Sequence, residues 1–377
     1  MRISMRILQI VDNLAIKSGV SSVVMNLYRN IDRDLVQFDF LVMNKVEISY
    51  ENEIKEMGGN IYYVSSPLTF KTIIGSIFDI KKFFKRYASK YDVVHLHSPT
   101  TAIFNLSFAK HYKIPHRIVH SHSTMFSNNK VKKFINFLLC LNLKRYANIY
   151  WACSIKAGEF LFGKKYIQKN KVKIINNAID LENYAFNKVL REKYRQQLGI
   201  SNKYVIGHVA SFNEIKNHTF LIDVFYNACQ YNEDSVLVLV GDGPMYHQII
   251  DLAKSMGIED KVIFLGFRKD ISVILNIFDI FVLPSLKEGL PVCAVEAQAS
   301  GLPCFLSSSI TREVDLGNVE YLDLNMETWV AALKRNKQNK DRDLTNDFLN
   351  STVFNIKKEA KRVKELYVQM NNREKNI

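Results

Sequence analysis

Two series of short apolar runs alternate with helix-length segments along this chain of 377 residues. The first series is Ile7–Val11, Phe38–Val42, Ile61–Val64, Val93–His97, Arg117–His120 and Ile149–Ala152. The second is Val172–Ile175, Val205–Val209, Val236–Val240, Val262–Leu265, Ile280–Leu283 and Pro303–Leu306. Runs that are apolar throughout belong to strands covered on both faces, and the segments between them supply the crossover helices of a parallel sheet. Such helices are expected at Ser21–Asn30, Ile73–Ser89, Lys130–Tyr146 and His218–Tyr231. The pattern predicts an α/β chain of two doubly wound, Rossmann-like domains, and the length suits two. The first is placed at residues 1–185 together with a closing basic helix in 355–377, the second at 186–354. The polar stretch Asp180–Ser201, with its charged REKYRQQ segment, is the expected hinge. No repeat of roughly 20–50 residues is evident.

Composition excludes several classes. Fifteen Gly and seven Pro are too few for a collagen-like or Pro/Gly-rich disordered chain. The five cysteines form no C-x-x-C pair and are odd in number, which argues against a disulfide framework or zinc knuckle and for thiols in a reducing cytosol. The opening run is too short for a secretory leader, Met5 is a second candidate start, and no stretch nears the ~18 apolar residues of a membrane span. A net charge of +14 favours polyanionic partners. The charge is scattered and no recognition module accompanies it, so nucleic acid is not expected. Two basic, apolar-rich segments, Lys81–Lys90 and Lys130–Tyr146, instead suit a helix on an anionic bilayer, against the plainer reading of core-facing helices with solvated lysine ends.

The chemistry concentrates in FVLPSLKEGLPVCAVEAQASGLP, Phe281–Pro303. A strand ends at Pro284, a loop carries Glu288 and Gly289, and Pro291 is expected at the first position of a helix, Val292–Ala299, which stops before Gly301. Free amides at such a helix start attract phosphate. Glu288 in the loop and Glu296 in the helix are placed to accept hydrogen bonds from hydroxyls at the two ends of a bound diphosphate ester.

The Glu-x7-Glu arrangement of KEGLPVCAVEAQASGLP resembles the signature of the family 4 retaining glycosyltransferases, which have the GT-B fold. Further segments follow in that family's order: KSGVSSVVMNL (Lys17–Leu27), the HSH of His120–His122, NNAID (Asn176–Asp180), HVASFNEIKNH (His208–His218), VGDGP (Val240–Pro244) and FLGFRKDI (Phe264–Ile271). The subgroup most resembled builds bacterial capsular and exopolysaccharides. The resemblance implies that Glu296 holds the ribose hydroxyls and Glu288 the transferred sugar. Backbone around Gly289, Leu290 and Val292 would cradle the diphosphate, and Lys216 would neutralise charge on the leaving group. His122 would stand near the donor sugar, Phe267 and Arg268 after Gly266 would flank the base, and Gly19 would let the first loop approach the phosphates. It implies a metal-independent hexosyltransferase without a cofactor, using a nucleotide-sugar donor, most simply a UDP-hexose. A polyprenyl-diphosphate-linked glycan would be the acceptor, at the cytoplasmic, inner face of the cell membrane.

One departure counts against full activity. Where the family pairs an Arg with the Lys, this chain has Ser211, and a lost charged donor costs ~2–4 kcal/mol of transition-state stabilisation. Arg268, Lys17 and Arg312 are candidates to compensate. Ser211 therefore supports a second reading, a catalytically impaired glycosyltransferase-like partner protein. A third, a dinucleotide oxidoreductase, lacks the G-x-G-x-x-G fingerprint: GDG at Gly241–Gly243 reads as a strand-end turn. The histidines of HRIVHSH have no Cys or carboxylate beside them, so no metal is expected. His120 and His122 are read as alternating on a strand, so that only one of them can face the cleft, with His122 preferred. Asp32-Arg33-Asp34 and Asp341-Arg342-Asp343 read as turn or surface.

Overall fold

The computed structural model describes residues 5–64, 72–127, 129–335, 342 and 352–374. Met1, and the NKQNKDRD stretch apart from Arg342, lie outside the described residues. The chain forms two compact units, residues 1–178 with 356–377, and residues 179–355.

The first unit is built on a parallel sheet of β1 (Met5–Val11), β2 (Val36–Val42), β3 (Ile61–Tyr63), β4 (Val93–Leu96), β5 (His116–Ser121), β6 (Ile149–Ala152) and β7 (Val172–Ile174). Its strand order is β3-β2-β1-β4-β5-β6-β7. The second holds β8 (Tyr204–Val209), β9 (Ser235–Val240), β10 (Val262–Gly266), β11 (Ile280–Leu283), β12 (Cys304–Ser307) and β13 (Val319–Leu322), in the order β10-β9-β8-β11-β12-β13. β13 escapes a search for apolar runs: VEYL is a short edge strand with a single buried residue. In each sheet the order reverses beside one strand, between β1 and β4 and between β8 and β11. Outside the carboxyl ends at such a switch point, loops diverge and leave a crevice for ligands.

Ile356–Glu374 is one helix whose Ile356, Ala360, Val363 and Tyr367 form an apolar stripe in the first unit's core, with Ile7, Phe38, Phe40 and Trp151. Arg362 binds the carbonyl of Ile174 and the carboxylate of Glu359, which also accepts from the Asn176 amide.

Three expectations need correction. Asp180–Ser201 belongs to the second unit, so the division falls at 178/179. The helix Lys188–Gln197 is tied there because Arg191 and Arg195 both bind Asp279, which also accepts from the Val205 amide beside β8. The segment Lys130–Tyr146 is two helices, Lys130–Cys140 and Leu143–Tyr146. The first has no buried residue, and Val131, Phe134, Phe137 and Leu138 are all at least 46% exposed. The aromatic residues of Lys81–Lys90 do the opposite: Phe83 and Phe84 are buried against each other, and Phe83 also packs on Tyr62, Tyr87 and Tyr91. Asp32 opens a turn and meets Lys364; Asp341 and Asp343 lie outside the described residues.

Candidate active site

In the second unit the loops after β8 and β11 meet at the switch point. Asn213 Oδ1 accepts from the amides of Ile215 and Lys216, fixing a tight turn. Asn217 follows at φ +58°, and its side chain donates to the carbonyl of Pro284. The Leu286 amide donates to Ile215 O. These bonds staple one loop to the other and bring Lys216 Nζ to 2.5 Å from Glu288 Oε1. Both side chains are mostly buried. Burial disfavours charge on Lys216, but the Glu288 carboxylate and neighbouring Cys293 outweigh it and raise the lysine's pKa. The lysine is therefore a fixed cation in a sheltered place, where charge acts strongly.

The helix Val292–Ala299 starts beside this pair. Pro291 is its N-cap, with ψ at 111°, and so stands one residue earlier than expected; no side chain caps the helix start. One turn in, burial pushes the pKa of Glu296 up to about 7, against the lowering effect of a 2.7 Å hydrogen bond from Tyr184 Oη. Cys293, on the same turn, is pushed up to about 12 by burial and stays a thiol.

Ser211 is exposed, and its Oγ accepts from Asn213 Nδ2. Of the candidates to compensate, Arg268 forms a two-pronged pair with Asp270, and Arg312 lies over the Tyr321 ring. The turn at Gly241 is steric in origin. Its φ is +141°, and a Cβ there would sit 1.9 Å from Ala210 O, so this glycine lets the β9 and β8 loops touch. Gly266 takes φ +64° as it ends β10, and its carbonyl accepts from the Gly241 amide; Phe267 and Arg268 follow, half-buried. Gly289 and Leu290 occupy the loop before the helix.

In the first unit, Gly19 opens the helix Gly19–Asn30, capped by Ser18, and a Cβ on it would meet nothing. Neither its conformation nor its protein neighbours require glycine. Beside the β1/β4 switch point, histidines from β4 and β5 form a stack. His120 is buried, whereas His122, just past β5, is half-buried; residues two apart on a strand share a face, and the two rings stack with centroids 4.0 Å apart, so they do not alternate as expected. His122 Nε2 lies 2.8 Å from His97 Nδ1, His97 Nε2 is 2.8 Å from Gln9 Oε1, and Gln9 Nε2 reaches Tyr367 Oη at 3.3 Å. Tyr367 Oη is 2.7 Å from His95 Nδ1, whose Nε2 is 3.1 Å from His120 Nδ1. His95, His97 and His120 hold ring nitrogens within 4.8 Å of one another, but each of the three rings spends a nitrogen on this network. Burial lowers the pKa of all four imidazoles, that of His122 to about 4, so they are neutral near pH 7.

Residues 17–183 match the Glycosyltransferase Family 4 domain, and residues 190–314 match Glycosyl transferases group 1. EpsF of Bacillus subtilis (strain 168) is 37% identical over 331 residues, 85% of this chain and 84% of that protein. This chain belongs to the family 4 and group 1 glycosyltransferases. It is therefore a transferase, with two parallel-sheet domains of the GT-B type. An Escherichia coli relative, UDP-Gal:alpha-D-GlcNAc-diphosphoundecaprenol alpha-1,3-galactosyltransferase, is 30% identical over 316 residues, 78% of this chain and 79% of its own. Among solved structures, Anabaena HepE in complex with UDP and glucose aligns with a TM-score of 0.75 at 17% identity, covering 97% of this chain and 99% of that one.

The sequence alone points to Glu288, Lys216, Glu296 and His122. It misses Tyr184, Asn213, Gln9, His97 and Tyr367, which hold those groups. Only His97 leaves a signal, a histidine at a strand end like that of HSH.

Proposed function

We propose that this glycosyltransferase moves a hexose from a UDP-sugar, with retention of configuration, to a polyprenyl-diphosphate-linked glycan during surface polysaccharide synthesis. The Lys216–Glu288 pair at the head of the helix Val292–Ala299, with Glu296 one turn in, carries this reading. The diphosphate would lie at the helix start, where amides and dipole favour an anion, and take Lys216 as counter-ion. Glu296 would accept from the ribose hydroxyls and Glu288 from those of the sugar. As the sugar–phosphate bond breaks, negative charge grows on the departing phosphate, and a fixed cation there lowers the barrier. The leaving phosphate oxygen would take the acceptor's proton as the new bond forms on the same face. No resident cofactor is needed for these steps. The UDP in the HepE complex and the lipid diphosphate named for the Escherichia coli relative agree with this donor and acceptor.

The helix Lys130–Cys140 would hold the protein at a lipid surface on the cytoplasmic side. Its exposed Phe134, Phe137 and Leu138, flanked by Lys130, Lys132, Lys133, Lys144 and Arg145, combine apolar area with positive charge. Among the described residues, no helix is long and apolar enough to cross a membrane.

Calorimetric titration with UDP, GDP and NAD, followed by transfer assays with UDP-sugars and a polyprenyl-diphosphate-linked glycan, tests the reading. UDP binding that disappears in Glu296→Ala, with sugar transfer, is expected. Folded protein that binds UDP yet transfers nothing would leave the impaired-partner reading in place, and preference for NAD would revive the oxidoreductase.

A further inference from the structure

The imidazole stack in the first unit is a single chain of hydrogen bonds running His122–His97–Gln9–Tyr367–His95–His120. Every ring in it is neutral, so each imidazole has one N–H and one bare nitrogen. The Gln9 amide has one donating and one accepting end. Where the Tyr367 hydroxyl accepts from one neighbour and donates to the other, the amide orientation dictates the direction of every bond, and the proton positions at the two ends are coupled.

Two proton orders run head to tail through all five bonds; in a third, the Tyr367 oxygen accepts from both Gln9 Nε2 and His95 Nδ1, and the buried Tyr367 O–H is left without an acceptor among the described residues. In the first, Gln9 Oε1 accepts from His97, Gln9 Nε2 donates to Tyr367, and His122 donates from Nε2. That order runs out at His120, whose Nε2 then carries a proton. His120 Nε2 is buried and has no partner among the described residues. Turning the amide by half a revolution reverses the chain. His120 Nδ1 then donates to His95, His95 to Tyr367, Tyr367 to the amide oxygen, the amide nitrogen to His97, and His97 Nδ1 to His122 Nε2. The orphan at His120 becomes a bare acceptor. Oxygen and nitrogen of an amide have nearly the same shape, so the network decides between the orders. A buried N–H without a partner is rarer than an under-used acceptor. We propose that the reversed order is the resting one, and that Gln9 and Tyr367 thereby fix His122 as the tautomer with its proton on Nδ1.

This rests on His122 facing the ligand, as read above, and sharpens it. His122 offers a neutral N–H donor to a ligand oxygen, such as a sugar hydroxyl or a phosphate. It has no free lone pair with which to remove the acceptor's proton, in keeping with proton transfer to the leaving phosphate. Gln9 and Tyr367 are positioning residues that never touch the substrate.

The test is long-range 15N–1H correlation on histidine-labelled full-length protein near pH 7, with His122 assigned through His122→Gln. A pyridine-like signal on Nε2 and a pyrrole-like signal on Nδ1 of His122 are expected in the wild-type protein; the opposite pattern there overturns the proposal. In Tyr367→Phe the link between the halves is cut, and His122 should become a mixture of tautomers. Folded Tyr367→Phe with an unchanged His122 pattern also overturns it. For an even mixture, KM for the donor rises about twofold with kcat unaltered. The spectra are recorded without substrate, so they are independent of the functional reading. That reading fails separately, if the folded wild-type protein transfers no sugar from any UDP-sugar; full-rate transfer by His122→Ala would instead remove His122 from the ligand.

Discussion

Tyr184 Oη donates a 2.7 Å hydrogen bond to Glu296 Oε1, and that bond is set against burial, which pushes the Glu296 carboxyl up to about 7. The group thus titrates near neutral pH. Ionised, it is the better acceptor for hydroxyls. Affinity for UDP should therefore rise by up to about tenfold from about pH 6 to about pH 8, in proportion to the ionised fraction. Calorimetry at several pH values checks this, and Glu296→Gln should flatten the profile. Stability runs the other way. Because the folded pKa is raised above the ordinary 4.5, the unfolded chain loses its proton first, and the contribution of a neutral Glu296 fades as pH climbs from 4.5 to about 7.

Removing the hydroxyl of Tyr184 takes away the one influence that lowers the Glu296 pKa. In Tyr184→Phe the UDP-affinity profile should shift to higher pH with its plateau nearly kept. An unshifted profile would mean that ribose binding does not depend on the Glu296 charge.

The switch-point geometry was legible in the sequence because it follows from strand order and from a loop with distinctive residues. Glu288, Lys216 and Glu296 sit after β11, after β8 and in the helix that follows β11, so chain order nearly fixes their neighbourhood. The groups that hold them were not legible. Tyr184 meets Glu296 across 112 residues of chain and Tyr367 meets His95 across 272. Neither pairing carries a local pattern, and an ordinary core tyrosine has the same sequence appearance. The division at 178/179 was hidden for a similar reason: the polar helix Lys188–Gln197 has a linker's composition, and only its arginines' partner, Asp279, shows where it belongs.

Lys216 should matter through its charge. Lys216→Met is expected to lower kcat by about a hundredfold or more, the effect of losing a donor to developing charge, while the fold survives. Ser211→Arg in the wild-type background offers the phosphates a second cation and should raise kcat. Stopped-assay kinetics with a saturating UDP-sugar distinguish the two. No change on Ser211→Arg in an active enzyme would sink the idea that Ser211 impairs it.

Phe134→Asp combined with Phe137→Asp should abolish sedimentation with vesicles containing anionic lipid and leave the melting temperature almost unchanged, since surface substitutions usually stay within about 0.5 kcal/mol. Raising salt should weaken wild-type binding as well. Equal binding by the double variant would remove this helix as the lipid contact.

Asp279 answers the buried Arg195, the half-buried Arg191 and the Val205 amide. Asp279→Ala leaves both cations unpaired and should cost about 3–5 kcal/mol. Chemical denaturation should show the loss in the second unit's transition.

The helix Ile356–Glu374 gives synthesis of the chain an unusual schedule. The second unit is one continuous segment inserted into the first, so it can close its core while the ribosome is still translating. The first unit, begun earlier, waits for Ile356, Ala360, Val363 and Tyr367 to emerge, and its sheet stays open on one face until they do. A nonsense codon in that last stretch would damage the half of the protein made first and spare the half made second.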